Sequence, residues 1–303
     1  MNNLTTRKMM TSDALVTVYI ATHNRAELLV RAVNSVLSQT YSNIELIVAD
    51  DGSSDDTYKK LVPFIETGKV IYVKNATPEG ACVARNKAIA MAKGEFITGM
   101  DDDDTIEPYH ITHLLDEFLA GNYSCIASSI MERTPKGDIV RKMDVGEVKL
   151  DDLLHYNILG NQVLTRTENL RAINGFDPEI PAFQDYDTWV RLVSRFGVAK
   201  KSAQASYIWY TNHTHGRISE SSDRRKNAYD IFYRKHSPLM SKAHKHSFVI
   251  LRRKLVNEPY GFIDFIKHTN SGNWKASLSL FINQNLKPLK YLLDLTRTKL
   301  NTK

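Results

Sequence analysis

LVTVYIATHNRAELLVRAVNSVLSQTYSNIELIVADDGSSDDT, residues 15–57, switches between two periodicities. Leu15 to Ala21 form a continuous apolar, β-branched run, the pattern of a strand buried on both faces. From Arg25 to Gln39 the residues Leu28, Leu29, Ala32, Val33, Val36 and Leu37 recur at helical spacing, and Thr40-Tyr41-Ser42-Asn43 closes that helix. Residues 44–49, IELIVA, predict a second buried strand, ending in Asp50-Asp51-Gly52-Ser53-Ser54-Asp55, whose side chains can cap a helix beginning near Thr57. Further along, residues 70–73 predict a third strand, 81–93 an alanine-rich helix, and 95–99 a fourth strand running into Asp101 to Asp104. Four strand–helix alternations predict right-handed βαβ units: an α/β fold with a mostly parallel central sheet and helices on both faces. In such a sheet the ligand crevice lies beyond the carboxyl ends of the strands, where His23-Asn24, Asp50-Asp51 and Asp101 to Asp104 all fall. After residue 110 the pattern predicts a helix at 111–120, a hairpin over 124–142 turning near Pro135-Lys136-Gly137, a helix at 186–196, a strand at 206–211, and amphipathic helices in the last seventy residues.

Length and composition set the frame around that pattern. With 303 residues, 42% of them hydrophobic and 24% charged, the chain suits either one large α/β domain or one such domain with a smaller appendage, and excludes a disordered or low-complexity scaffold. Two cysteines, Cys82 and Cys125, match no zinc-ligand spacing and no disulfide framework, which favours a reducing compartment. No run of eighteen apolar residues occurs, and the first twelve residues lack the apolar stretch of a signal peptide, so a cytoplasmic location is expected. The net charge of +6 is uneven: residues 234–303 hold 14 Lys and Arg against 3 Asp and Glu. A basic tail favours an anionic partner. It reads either as a solvated helical appendage that completes the core, or as a peripheral contact with anionic membrane. In the second case the apolar clusters Phe248 to Leu251 and Phe262 to Ile266 would lie on lipid beside Arg252, Arg253, Lys254 and Lys267. Nucleic acid is excluded as a partner, since stacking aromatics and recognition motifs are missing.

Four features carry chemistry. Asp101 to Asp104 repel one another unless solvent or a cation relieves them, so the run is either a solvated acidic turn or a site for Mg²⁺ or Mn²⁺. Its sixth position lacks the glycine that an EF-hand loop requires. Asp50-Asp51-Gly52-Ser53 is either ordinary turn chemistry or an acceptor of hydrogen bonds from a base edge or ribose. Gly80 to Asn86 lets backbone approach a ligand and offers helix-start amides to phosphate. No Walker or Rossmann glycine fingerprint is present, which argues against nucleotide hydrolysis and nicotinamide chemistry. Asp185, in Phe183-Gln184-Asp185-Tyr186-Asp187, opens a helix and is either an N-cap or an ionised general base. His213, His215 and Arg217 follow the last predicted strand, as a surface loop or as ligands of a diphosphate or metal.

The order VTVYIATHNR, IVADDGSSDDT, GACVARNKAIAMAKGEFITGMDDDD and FQDYDTWVRL resembles the family 2 glycosyltransferases, inverting enzymes of the GT-A fold that use nucleotide sugars. The resemblance covers residues 14–220 and implies a GT-A domain there, followed by a basic, mainly helical extension over 221–303. It implies that Ala21, Asn24, Asp50 and Asp51 hold the nucleoside, that Arg85 borders the nucleotide, and that Asp101 and Asp103 form the Asp-x-Asp motif. Within that motif Asp103 is the expected direct ligand of Mn²⁺ or Mg²⁺, with Asp101 beside it and Asp102 competing for the role. Asp185 matches the catalytic base, while His213 and Arg217 fall where the family contacts the diphosphate. The family's Glu-Asp pair is here Gln184-Asp185. The implied partners are a nucleotide-sugar donor, most simply a UDP-sugar, and a glycan or lipid-linked glycan acceptor at the inner face of the cell membrane. A non-catalytic nucleotide-sugar or glycan-binding module of the same fold is the alternative.

Overall fold

Strand β1 (Val16–Thr22) sits between β2 (Ile44–Asp50) and β4 (Phe96–Asp101), and β3 (Ile71–Lys74) adds outside β2, giving the parallel order β3-β2-β1-β4. The register sets Val16 opposite Ile44 and Phe96, and at the other end Thr22 opposite Asp50 and Ala21 opposite Asp101. The polar residues that end β1, β2 and β4 therefore finish level along one edge. A computed structural model supplies these coordinates and describes residues 13–135, 137–141, 145–211 and 222–286.

β1 is mostly apolar because both its faces are covered. Val16, Val18 and Ile20 pack with Leu29, Val33 and Val36 of α1 (Ala26–Leu37), Leu61 of α2 (Thr57–Glu66) and Leu46 and Val48 of β2. Tyr19, pointing the other way, meets Phe176 edge to face at 6.3 Å. Helix α3 (Ala81–Met91) carries the chain from β3 to β4. At about 1.5–3 kcal/mol per fully buried large apolar side chain, this cluster is the main stabilising element of the sheet's parallel half.

The rest of the sheet is mixed. After β5 (Thr105–Ile106) and α4 (His110–Ala120), β6 (Cys125–Thr134) and β7 (Gly137–Arg141) form the expected hairpin, with Thr134 opposite Gly137. The sequence order continues through β8 (Gly146–Val148), α5 (Leu150–Leu153), β9 (Leu164–Arg166), α6 (Thr167–Ala172), α7 (Gln184–Phe196) and β10 (Ala199–Tyr210). Spatially, β9 bridges β4 and β6, antiparallel to both, and β10 follows parallel to β6 with β5 outside it. β10 begins seven residues before the expected strand, and three-residue β9 is too short for any alternation to announce it.

The chain divides into two compact units. One comprises the sheet and its helices, from the chain up to Leu150, Ile158–Glu179 and the stretch from Gln184 through β10. The other takes Asp151–Asn157, Ile180–Phe183 and the helices that follow residue 222. Those are α8 (Ser222–His236), a 3₁₀ turn (Ser237–Leu239), α9 (Lys242–Leu255), α10 (Phe262–His268) and α11 (Trp274–Asn285). In this unit Phe232 stacks on Phe248 at 5.4 Å, and Ser241 closes a capping box with His244 at the start of α9.

Candidate active site

The loops leaving β1 and β2 are laced together. Asn24, in the left-handed region at φ 53°, accepts from the amides of Ser54 (2.8 Å) and Asp55 (3.3 Å), and its own amide donates to Ser53 Oγ (2.9 Å). Asparagine tolerates that backbone better than other non-glycine residues. Asp50 is only 1% exposed: one oxygen accepts from the Ser53 amide (2.7 Å), the other from the Tyr72 hydroxyl. Asp50 thus shapes the loop from within. Asp51 accepts from Asn75 Nδ2 (2.7 Å) and from the amides of Glu79 (2.8 Å) and Gly80 (2.7 Å). Of the segment Gly80 to Asn86, expected from the sequence to offer amides to phosphate, the Gly80 amide is therefore already bonded to Asp51.

The four aspartates after β4 occupy different environments. Asp101 is half-buried and held by Gln162 Nε2 (3.0 Å) and Arg85 Nη2 (3.3 Å) on one oxygen and by Asn161 Nδ2 (2.9 Å) on the other. Arg25 Nη1 donates to both Asp102 Oδ1 (2.9 Å) and Asp103 Oδ2 (3.1 Å), and Thr22 Oγ1 donates to Asp102 Oδ2 (2.7 Å). Burial pushes the Asp102 carboxyl up to about 6, against the pull of Arg25. Asp104 is buried beside Asp101 and Asp103 and is held well above the usual carboxylate range, first by desolvation and then by those charges. Arg31 donates to the backbone carbonyl of Asp103 and lies over the Tyr210 ring. The run is therefore a folded, cation-balanced turn rather than a solvated one.

Asp185 enters through Arg85. This arginine, in the second turn of α3, bridges Asp101 and Gln184 Oε1 (3.0 Å), and its guanidinium lies 5.1 Å from the Phe176 ring centroid. Its charge acts directly on Asp185. Burial pushes the Asp185 carboxyl up to about 6, with Arg85 pulling it down and Asp101 pushing it up. Asp185 lies in the first turn of α7, whose Trp189 and Leu192 are buried. The preceding Phe183 stands at φ 61°, a backbone that a bulky side chain rarely adopts and that no sequence pattern revealed.

Sequence reasoning also passed over Arg25, Asn161, Gln162 and Lys201. Arg25 was read only as the start of a helix. Asn161-Gln162 is the polar pair inside the apolar stretch from Ile158 to Leu164, and that interruption was the available signal. The loop carrying the pair is pinned by buried Lys201, whose Nζ donates to Leu159 O (2.9 Å), and by Trp189 Nε1, which donates to Gly160 O (2.8 Å). Gly99 of β4 leaves room for this arrangement: a Cβ there would lie 2.1 Å from Gln162 Oε1 and 2.5 Å from the Tyr19 ring. Gly99→Ala is expected to destabilise the protein by about 1–3 kcal/mol, read as a lowered midpoint in a thermal melt. An unchanged midpoint would show that Gln162 yields at no cost. His213, His215 and Arg217 lie outside the described residues.

A second cluster, Asp151, His155 and His244, lies in the helical unit with potential ligand atoms within 4.8 Å of one another. The Ser241 amide donates to His244 Nδ1 (3.0 Å), which places the hydrogen of the neutral ring on Nε2, facing Asp151 Oδ1 at 3.1 Å. That pairing is a helix cap and a hydrogen bond, and binding a cation at Nε2 would require breaking it.

Residues 17–174 match the family described as Glycosyl transferase family 2. The chain is 34% identical over 251 residues to WcaA of Escherichia coli K12, named for colanic acid biosynthesis, covering 78% of this chain and 86% of that protein. It is 43% identical over 90 residues to the Escherichia coli UDP-Glc:alpha-D-GlcNAc-diphosphoundecaprenol beta-1,3-glucosyltransferase WfaP, covering 30% and 36% of the two chains. Among solved structures, Staphylococcus aureus TarS 1-349 in complex with UDP-GlcNAc superposes with a TM-score of 0.65 at 17% identity, over 89% of this chain and 81% of that one. The likeness to TarS establishes the fold, a GT-A fold, alone.

Proposed function

We infer, since this chain belongs to glycosyl transferase family 2, that it moves a sugar from a UDP-sugar to a hydroxyl of a glycan or lipid-linked glycan in surface polysaccharide biosynthesis, inverting the anomeric carbon. The observation that carries this reading is Arg85, whose guanidinium joins Asp101 at the end of β4 to Gln184 at the start of the helix that bears Asp185. An acceptor hydroxyl is a poor nucleophile until its proton has somewhere to go, and a diphosphate leaves only if its charge is balanced. A carboxyl raised to about 6 is ionised at neutral pH yet more basic than an ordinary aspartate, which suits Asp185 to the first task. As the acceptor oxygen bonds to the anomeric carbon, the bond from that carbon to the β-phosphate oxygen breaks. The hydroxyl proton passes to Asp185, and the electron pair leaves with UDP.

On this reading Ala21, Asn24 and Asp51 line the nucleoside, Asp50 supports their loop, and Arg85, Asp101 and Asp102 border the sugar diphosphate. His213 and Arg217 would contact the phosphates. The donor set after β4 is all carboxylate oxygen, the chemistry that a hard divalent cation takes, and Asp103 and Asp101 would hold Mn²⁺ or Mg²⁺ in exchange for their contacts with Arg25 and Arg85. Such an ion supplies Lewis-acid neutralisation of the diphosphate.

The test is UDP release from UDP-glucose and UDP-N-acetylglucosamine with Mn²⁺ and a glycan acceptor, with the product's anomeric configuration read by NMR. Expected are UDP release that EDTA abolishes and Mn²⁺ restores, and a linkage opposite in configuration to the donor. Retained configuration would overturn the displacement mechanism. Tight donor binding with no UDP release would favour a binding module instead.

A further inference from the structure

Of the two apolar clusters that the sequence sets on a membrane surface, Phe262 to Ile266 stands exposed, whereas Phe248 to Leu251 turns inward. Phe248 and Ile250 are buried, Arg252 pairs with Glu258 (3.1 Å), and Arg253 pairs with Asp264 (2.9 Å), so α9 faces inward and its arginines are committed. Most of the tail's large exposed apolar side chains belong to α10 and α11. Phe262, Ile263 and Ile266 are 63%, 81% and 64% exposed and lie within one turn of one another on α10, while Trp274, at 51%, and Leu278 stand one turn apart on α11. The two helices are held together beneath these residues by Phe281, which meets Phe265 at 5.2 Å and Phe262 at 6.2 Å. Five large apolar side chains standing in water on one helix pair are a cost that a soluble surface rarely carries without a partner.

The charge around them selects that partner. Lys254, Lys267 and Lys275 are exposed, with Lys275 Nζ 5.9 Å from the Trp274 ring centroid, and the described residues 234–286 carry 9 basic against 2 acidic side chains. Apolar residues with an exposed tryptophan and flanking lysines, on helices too short to span, suit the headgroup region of an anionic bilayer: the rings and aliphatic chains enter the acyl boundary while the ammonium groups meet phosphates. No helix among the described residues is long and apolar enough to cross a membrane. We propose that the exposed face of α10 and α11 docks this protein on the surface of an anionic lipid bilayer, with Phe262, Ile263, Ile266 and Trp274 as the inserted residues. This rests on exposure and charge and is independent of the transfer chemistry.

The test is co-sedimentation of the full chain with phosphatidylglycerol or phosphatidylcholine vesicles, alongside Ile263→Glu/Ile266→Glu and Lys267→Glu/Lys275→Glu variants. The unmodified chain is expected to pellet with phosphatidylglycerol only and to be released by salt. The isoleucine pair variant should bind at least about tenfold more weakly, with its thermal midpoint unchanged because both positions are exposed. The lysine pair variant should bind more weakly at low salt. Tryptophan emission should shift to the blue on phosphatidylglycerol in the unmodified chain, and the shift should be lost in Trp274→Phe. Equal pelleting of the isoleucine variant, or no pelleting of the unmodified chain, overturns the proposal. So does a dimer in sedimentation velocity that the isoleucine substitutions dissociate while vesicle binding is absent, because the face would then be covered by a second copy.

Discussion

Asp185→Asn is expected to lower kcat by about 10²–10⁴-fold, the usual contribution of a positioned general base. The substitution keeps the size of the side chain and its place in the first turn of α7, so binding of the UDP-sugar should change little and the loss should fall on kcat. The pH profile separates this from a structural effect. The Asp185 carboxyl is pushed up to about 6, mainly by burial, and a base acts only when ionised. In the unmodified enzyme kcat/KM should therefore climb with pH up to about 6 and level off above it, while the variant should be flat through that range. Stability should move the opposite way. A carboxyl raised in the folded state stabilises the fold below its ordinary range and loses that contribution as pH rises through about 6. The variant should accordingly melt no lower than the unmodified chain at pH 8, and compare least favourably with it near pH 4. A thermal midpoint that collapses at pH 8, or turnover within a few-fold of normal, would remove Asp185 from the role of base.

Arg85→Met is expected to do damage of two kinds. Met retains the apolar stem against Phe176 but leaves Asp101 and Gln184 without the guanidinium they share. Loss of hydrogen bonds to a charged group in this largely buried site should cost about 1.5–3 kcal/mol of stability, read as a lower thermal midpoint. Because the positive charge of Arg85 holds the Asp185 carboxyl down, its removal should also carry the acid limb of the pH profile upward, with kcat/KM reduced by about 10²-fold or more at neutral pH. Arg85→Lys keeps the charge but not the fork, so its limb should stay near 6 while its midpoint falls. A limb that does not move in Arg85→Met would show that Arg85 serves the fold alone.

These two residues also mark how far the sequence could be read. The parallel half of the sheet was legible because β1, β2 and β4 are largely buried on both faces and so are mostly apolar, and the aspartates ending β2 and β4 followed from that. Asp185 was legible as the first-turn residue of a helix. Partnerships across the chain were not: Arg25 with Asp102 and Asp103, Asn161 and Gln162 with Asp101, and Lys201 with Leu159 O join residues dozens of positions apart, and no local periodicity encodes such a pair. In the tail the cluster Phe262 to Ile266 was legible as an exposed face, but the burial of Phe248 and Ile250 was not. Amphipathic spacing identifies an apolar side of a helix, but only packing decides that Phe248 goes inside and Ile263 does not.

The short strand β9 has a consequence for synthesis. Its three residues, Leu164–Arg166, are what connects β4 to β6 within the sheet, and they leave the ribosome only after both of those strands. Until then the nascent chain can close the β6–β7 hairpin locally, but one edge of β4 has no neighbour, and an unpaired edge invites pairing with a foreign strand. Protection by chaperones during translation should therefore matter most in the interval between the emergence of β4 and that of Arg166.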